Sequence, residues 1–126
     1  DMPLVNLFLQ KRWEDKDGNI YAKRIGTLVI RMDKNTDWVN DASFTILYGD
    51  ITKRSDYEEY MGFQLGESAR YSLNSKGKNV PIQEIGWGTE DDEVTHMILE
   101  FCSSHGGSYI GSPGNTFWVD NIRLGY

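Results

Sequence analysis

The chain reads as an all-β protein, an antiparallel β-sandwich with one short helix. Three observations predict this: short runs rich in Val, Ile, Phe and Tyr alternate with turn residues, no apolar repeat of 3.6 is sustained, and hairpin chemistry recurs. At 126 residues it fits one domain, large enough for a single core without a staple. Its lone cysteine, Cys102, excludes an internal disulfide framework and a multi-cysteine zinc site. Nineteen acidic against thirteen basic residues give a net charge of −6, which repels a phosphate backbone and disfavours nucleic acid or an anionic membrane as partner. A neutral ligand is easier to reconcile.

Residues 4–13 form the first expected strand, and Asp17-Gly18 within EDKDGN supplies the positive φ of a hairpin turn. The return strand spans 20–32, with Gly26 marking a bulge or a bend where two sheets meet. After a loop at 33–42, alternation over 43–48 places Phe44, Ile46 and Tyr48 on one face. Residues 55–61 are the one helical candidate, capped by Ser55 or Asp56. Residues 62–93, with five glycines and the acidic cluster Glu90 to Glu93, read as a long decorated connection. The strand at 94–102 alternates Met97, Leu99 and Phe101 with His96, Ile98, Glu100 and Cys102. Glycine and serine fill 103–115, and a last strand at 116–124 shifts its apolar phase near Asp120-Asn121, as a bulge does. The longest uncharged stretch, 101–119, holds four Ser and four Gly and cannot cross a bilayer, so no membrane-spanning segment is expected.

The run THMILEFCSSHGGSYIGSPGNTFWVDNIRLGY, residues 95–126, resembles the end of the carbohydrate metabolism domain (PCMD) of Bacteroidetes surface proteins. A strand ending in Ser103-Ser104, a glycine loop with an aromatic and Gly111, and Gly114-Asn115 leading into Phe117-Trp118-Val119-Asp120-Asn121 match together. GTLVIRM, the Trp38 loop and ILYGDIT resemble that family's middle region. The resemblance implies a jelly-roll sandwich related to carbohydrate-binding modules, non-catalytic, carried by exported or outer-membrane lipoproteins of Gram-negative gut anaerobes. Members are about twice as long, so either a preceding segment has been removed, as the odd first residue Asp1 suggests, or this is a compact variant. A sandwich lacking its first strands exposes edges, which predicts a homodimer through an edge strand.

Four Trp and seven Tyr are the resource for sugar binding, since a pyranose stacks its C–H face on a ring while its hydroxyls seek Asp, Asn and Glu. Trp38, beside Asp37 and Asp41, and Trp87, between glycines before TEDDE, are the leading platforms, with Tyr60 and Tyr71 behind them. Each has a competing reading as a loop anchor, because Trp is highly buried on average. Trp13 and Trp118, in strands, read as core residues. Asp33, Asn35 and Asp37 resemble the start of a calcium loop, but Trp38 and Phe44 stand where Gly and Glu are required, so an Asx turn accounts for them better. Asp120 is a candidate ligand of a structural calcium by analogy with jelly-roll modules; no other cofactor is expected. Ser103, Ser104 and His105 lack the spacing of a triad, and the separation of Glu84, Glu90, Asp91 and Asp92 as hydrolytic carboxylates is not legible in sequence. The expected function is therefore non-catalytic polysaccharide binding, with a structural or adhesive module as the alternative and a glycoside hydrolase least favoured.

Overall fold

A computed structural model describes residues 4–31, 42–102 and 122–124. Strands β1 (Leu4–Glu14) and β2 (Ile20–Arg31) form a long antiparallel hairpin. Asp15 shapes its turn by accepting the amides of Asp17 and Asn19, both at 2.9 Å, while Gly18 takes φ of +86°. Further along, Leu9 faces Gly26 and Gln10 faces Arg24, so Ile25 is the extra residue of a bulge. The expected irregularity at Gly26 is thus present. A Cβ there would stand 2.8 Å from Ile46 and 3.0 Å from Leu9, which explains why no side chain occupies the position.

The segment expected as a strand over 43–48 pairs only at β3 (Leu47–Tyr48), against Gly26 and Thr27. Of the three residues expected to share a face, Ile46 packs on the cluster of Leu7, Leu9 and Ile25, whereas Phe44 and Tyr48 are exposed. In place of the helix at 55–61 there is a single 3-10 turn, Glu59–Met61. Asp56 does not cap it, because its carboxylate is held by Arg54 at 2.9 Å. Arg24 takes the carbonyls of Met61 and Gly62, at 3.0 and 2.8 Å, and fixes the chain there as it leaves the turn.

The connection read over 62–93 is more structured than expected. After a 3-10 turn at Gly66–Ser68 it contains a hairpin, β4 (Tyr71–Leu73) and β5 (Asn79–Trp87). Its turn repeats the logic of the first. Asn74 accepts the amides of Lys76 and Lys78, at 2.9 and 3.0 Å, and Gly77 takes φ of +78°. The two turns lean on each other: Asn74 Nδ2 donates to Gly18 O at 2.9 Å, and Glu14 accepts from Ser75.

β6 (His96–Cys102) pairs antiparallel with β1. The described strands make one sheet in the order β4-β5-β2-β1-β6, with β3 beside the far half of β2. It is mostly antiparallel. The β2–β5 pair is the parallel exception and departs from an antiparallel architecture. Its cause is the route of the chain: after β3 pairs with Gly26 and Thr27, residues 49–70 lead to β4, and the following turn sends β5 back alongside Ile20 to Arg24 of β2. Instead of two facing layers, the described residues form a single curled sheet. Laid flat, β4 and β6 would stand four strand spacings apart, ~19 Å. Yet Arg70, just before β4, bonds Glu100 on β6 at 2.6 and 2.5 Å, so the sheet bends into an open trough.

Candidate functional site

Strand alternation sorts the sheet into two faces. The inner, concave face carries Phe8, Gln10, Arg12 and Glu14 of β1, Ile20, Ala22 and Arg24 of β2, Ile82 and Glu84 of β5, and His96, Ile98 and Glu100 of β6. One apolar cluster on it joins Ile20, Ala22 and Ile82, with Val80 against them. Beside it lies a closed polar network. Arg24, fully buried, donates from Nε and Nη2 to the two oxygens of Glu84 at 2.6 Å each, and from Nη1 to Thr27 at 3.1 Å. Its guanidinium lies 3.9 Å over the Phe8 ring. Glu84 also accepts from Gln10 Nε2 at 2.8 Å and the Gln64 amide at 2.9 Å. Burial opposes the charge of Glu84, but the hydrogen bonds and charge of Arg24 outweigh it and hold the carboxyl below its ordinary value. Every donor of Arg24 and both oxygens of Glu84 are thereby engaged, which makes Glu84 a structural group and removes it from the hydrolytic carboxylates considered above.

On the outer face the end near the two turns is open. Trp13 is directly opposite Tyr21, and their rings are 6.0 Å apart between centroids at 33°. Tyr21 is paired in parallel with Gln83, and Pro81, two residues before Gln83, is opposite Tyr71. All five therefore share one face. Trp13, expected in the core, is 41% exposed: β1 outruns β6, whose pairing stops at Gln10, and nothing among the described residues covers its outer side there. Tyr71, on edge strand β4, is 58% exposed. The result is an aromatic strip across four strands, with Tyr71 two strand spacings, ~10 Å, from the Trp13–Tyr21 pair. Beside Tyr21, Asp15 is held below its ordinary pKa, chiefly by the hydrogen bond from the Asn19 side chain.

Compared with protein-family models, curated proteins and solved structures, the chain matches none. Its site is therefore read from its own residues.

The sequence-predicted residues do not come together. Tyr71 belongs to the outer strip. Trp87, at the end of β5, is half-buried on the inner face, 4.6 Å from Phe63 between ring centroids and 5.8 Å from the Arg24 guanidinium. Tyr60, on the 3-10 turn, is 40% exposed with the Arg31 guanidinium 5.5 Å over its ring. Trp38, Asp37, Asp41 and the proposed calcium ligand Asp120 lie outside the described residues, as do Asp33, Asn35, Trp118 and the Ser103-Ser104-His105 run. Of the expected last strand, only residues 122–124 are described, and they carry no regular structure. No group of three His, Cys, Asp or Glu among the described residues is placed to hold a metal ion. No helix among them is long and apolar enough to cross a membrane. Sequence reading missed Trp13 and Tyr21 as site residues. Their signal was positional: they flank the turn at Asp17-Gly18 in register, so both rings fall on one face at the sheet's end.

Proposed function

We propose that this domain is a non-catalytic carbohydrate-binding module that lays a polysaccharide along the outer strip of Trp13, Tyr21 and Tyr71. The observation that carries the reading is the shared face of these rings, with Trp13 and Tyr71 open to solvent. A glycan chain offers alternating apolar C–H faces, and aromatic rings on three strands of a four-strand span suit an extended chain better than a single sugar. Gln83 between the rings provides amide partners for hydroxyls. Residues 95–126 support assignment to the jelly-roll class and an extracytoplasmic setting, on the outer membrane or cell surface, through their resemblance to the PCMD end. Retention on insoluble and soluble polysaccharides in affinity electrophoresis tests the reading. Trp13→Ala and Tyr71→Ala should each weaken retention about five- to tenfold, the scale of one lost stacking contact. Absence of retention on every polysaccharide tried, or retention by both variants equal to that of the unsubstituted protein, removes it.

A second reading rests on the edges. β4 bears exposed Tyr71 and Leu73, and β6 bears exposed Met97 and Phe101, so an adhesive module pairing through a sheet edge into a homodimer is the alternative. Light scattering that gives a monomer at high concentration rejects it.

A further inference from the structure

The inner face holds a second feature, which shares only Trp13 with the outer strip. An open trough of about 250 Å³ lies at its turn-proximal end, lined by Arg12, Glu14, Ile20, Ser72 and His96, with Trp13 and Leu73 completing the wall. Arg12 is aimed in advance. Its Nε donates to Gln10 Oε1 at 2.8 Å, and Gln10 is itself buried and anchored on Glu84. That bond leaves the terminal Nη groups of Arg12 without an acceptor among the described residues. Thr95 sets His96 beside it: the Thr95 hydroxyl accepts the Arg12 amide at 2.8 Å and stands 2.8 Å from His96 Nδ1, nearer than the 3.4 Å to its other acceptor, Gln10 O. When the hydroxyl donates to Nδ1, the imidazole proton stands on Nε2. Glu84 is spent on Arg24, so Arg12 has no carboxylate partner beside it, and the one carboxylate in the trough lining is Glu14. At the other end, Glu14 accepts both donors of Ser75 and retains lone pairs toward the opening.

We propose that this trough binds a hydroxylated carboxylate of monosaccharide size, a hexuronate, with its carboxylate on Arg12 and His96, its hydroxyls on Glu14 and Ser72, and its ring over Ile20. A carboxylate suits the planar fork of Arg12, whose bidentate geometry is stronger than that of a neutral acceptor. The small volume excludes a drug-sized ligand but admits one sugar.

The test is an NMR titration of the full chain with glucuronate, glucose and acetate, following the His96 ring and the Arg12 side chain. Glucuronate should shift both saturably, and glucose and acetate should each bind at least about tenfold more weakly, because one lacks the charge and the other the hydroxyls. Arg12→Gln should lose about tenfold or more with an unchanged backbone spectrum, whereas Tyr71→Ala, on the other face, should bind glucuronate normally. Should Arg12→Gln fold poorly, His96→Gln, which leaves Arg12 in place, should still weaken binding. Equal affinity for glucose or for acetate overturns the proposal, as does retained binding in Arg12→Gln or the absence of a saturable shift. Since Tyr71→Ala separates the faces, loss of polysaccharide retention and loss of glucuronate binding fail independently.

Discussion

At the scale of single residues, the Arg24–Glu84 pair illustrates how a buried ion pair is tolerated: all its polar atoms are matched and its cation rests on Phe8. Removing one partner strands the other in a dry site. Glu84→Gln is expected to destabilise the domain by about 3–5 kcal/mol in urea unfolding. Acidification should act in the same direction. Glu84 and Glu100 are both held below their ordinary values, Glu84 against its burial and Glu100 chiefly by hydrogen bonds from Arg70. The folded state therefore binds fewer protons than the unfolded chain as pH falls through the ordinary carboxylate range. Their stabilisation is present above that range and is lost as pH drops through the depressed folded values. A denaturation series from neutral to acid pH should show this loss, with a shallower slope in Glu84→Gln; an unchanged slope counts against the assignment. None of this was legible in sequence, because Glu84 looks like any strand glutamate until the parallel pairing of β5 sets it beside Ala22 and within reach of Arg24.

At the scale of elements, the two matched turns and the bulge decide local order. Asn74 is buried and bonds Lys76, Lys78 and Gly18, so Asn74→Ala leaves several polar groups unmatched. A cost of about 1–3 kcal/mol is expected by thermal or urea unfolding, and a cost near zero refutes the docking of the two turns. Gly26→Ala pushes a methyl group into Ile46 and Leu9 and should cost about 1–3 kcal/mol by overpacking. The hairpin of β1 and β2 was readable from Asp17-Gly18. That of β4 and β5 was also written in the chain, as Asn74 followed by Gly77 in the pattern of Asp15 followed by Gly18, but β4 is only three residues long and the alternation of β5 is broken by the bulge at Ile85. The helix expected at 55–61 fails for the opposite reason: its local signals are good, yet Arg54 takes the capping carboxylate and Arg24 the carbonyls at its end.

For the whole molecule, curvature is set by the clamp of Arg70 and Glu100, which draws the neighbourhood of one sheet edge toward the other. Because the pair is only partly buried, Arg70→Met should lower global stability by only about 1 kcal/mol while hydrogen exchange of the β4 amides accelerates more than that of β1. Equal acceleration everywhere would assign the pair no role in curling.

The sequence by itself determined the β class, the first hairpin, the site of the bulge and the strand at its C-terminal side, since each depends on near neighbours: alternation, a residue able to take positive φ, a residue without a Cβ. Tertiary structure decided which faces the rings occupy together. Trp13 and Tyr71 are far apart in the chain and share a face of one sheet only because β5 returns parallel to β2 and brings β4 alongside. Such a juxtaposition depends on the order in which strands pair, a long-range choice made by the burial of Arg24 and the route of residues 49–70, on which periodicity within any one segment is silent.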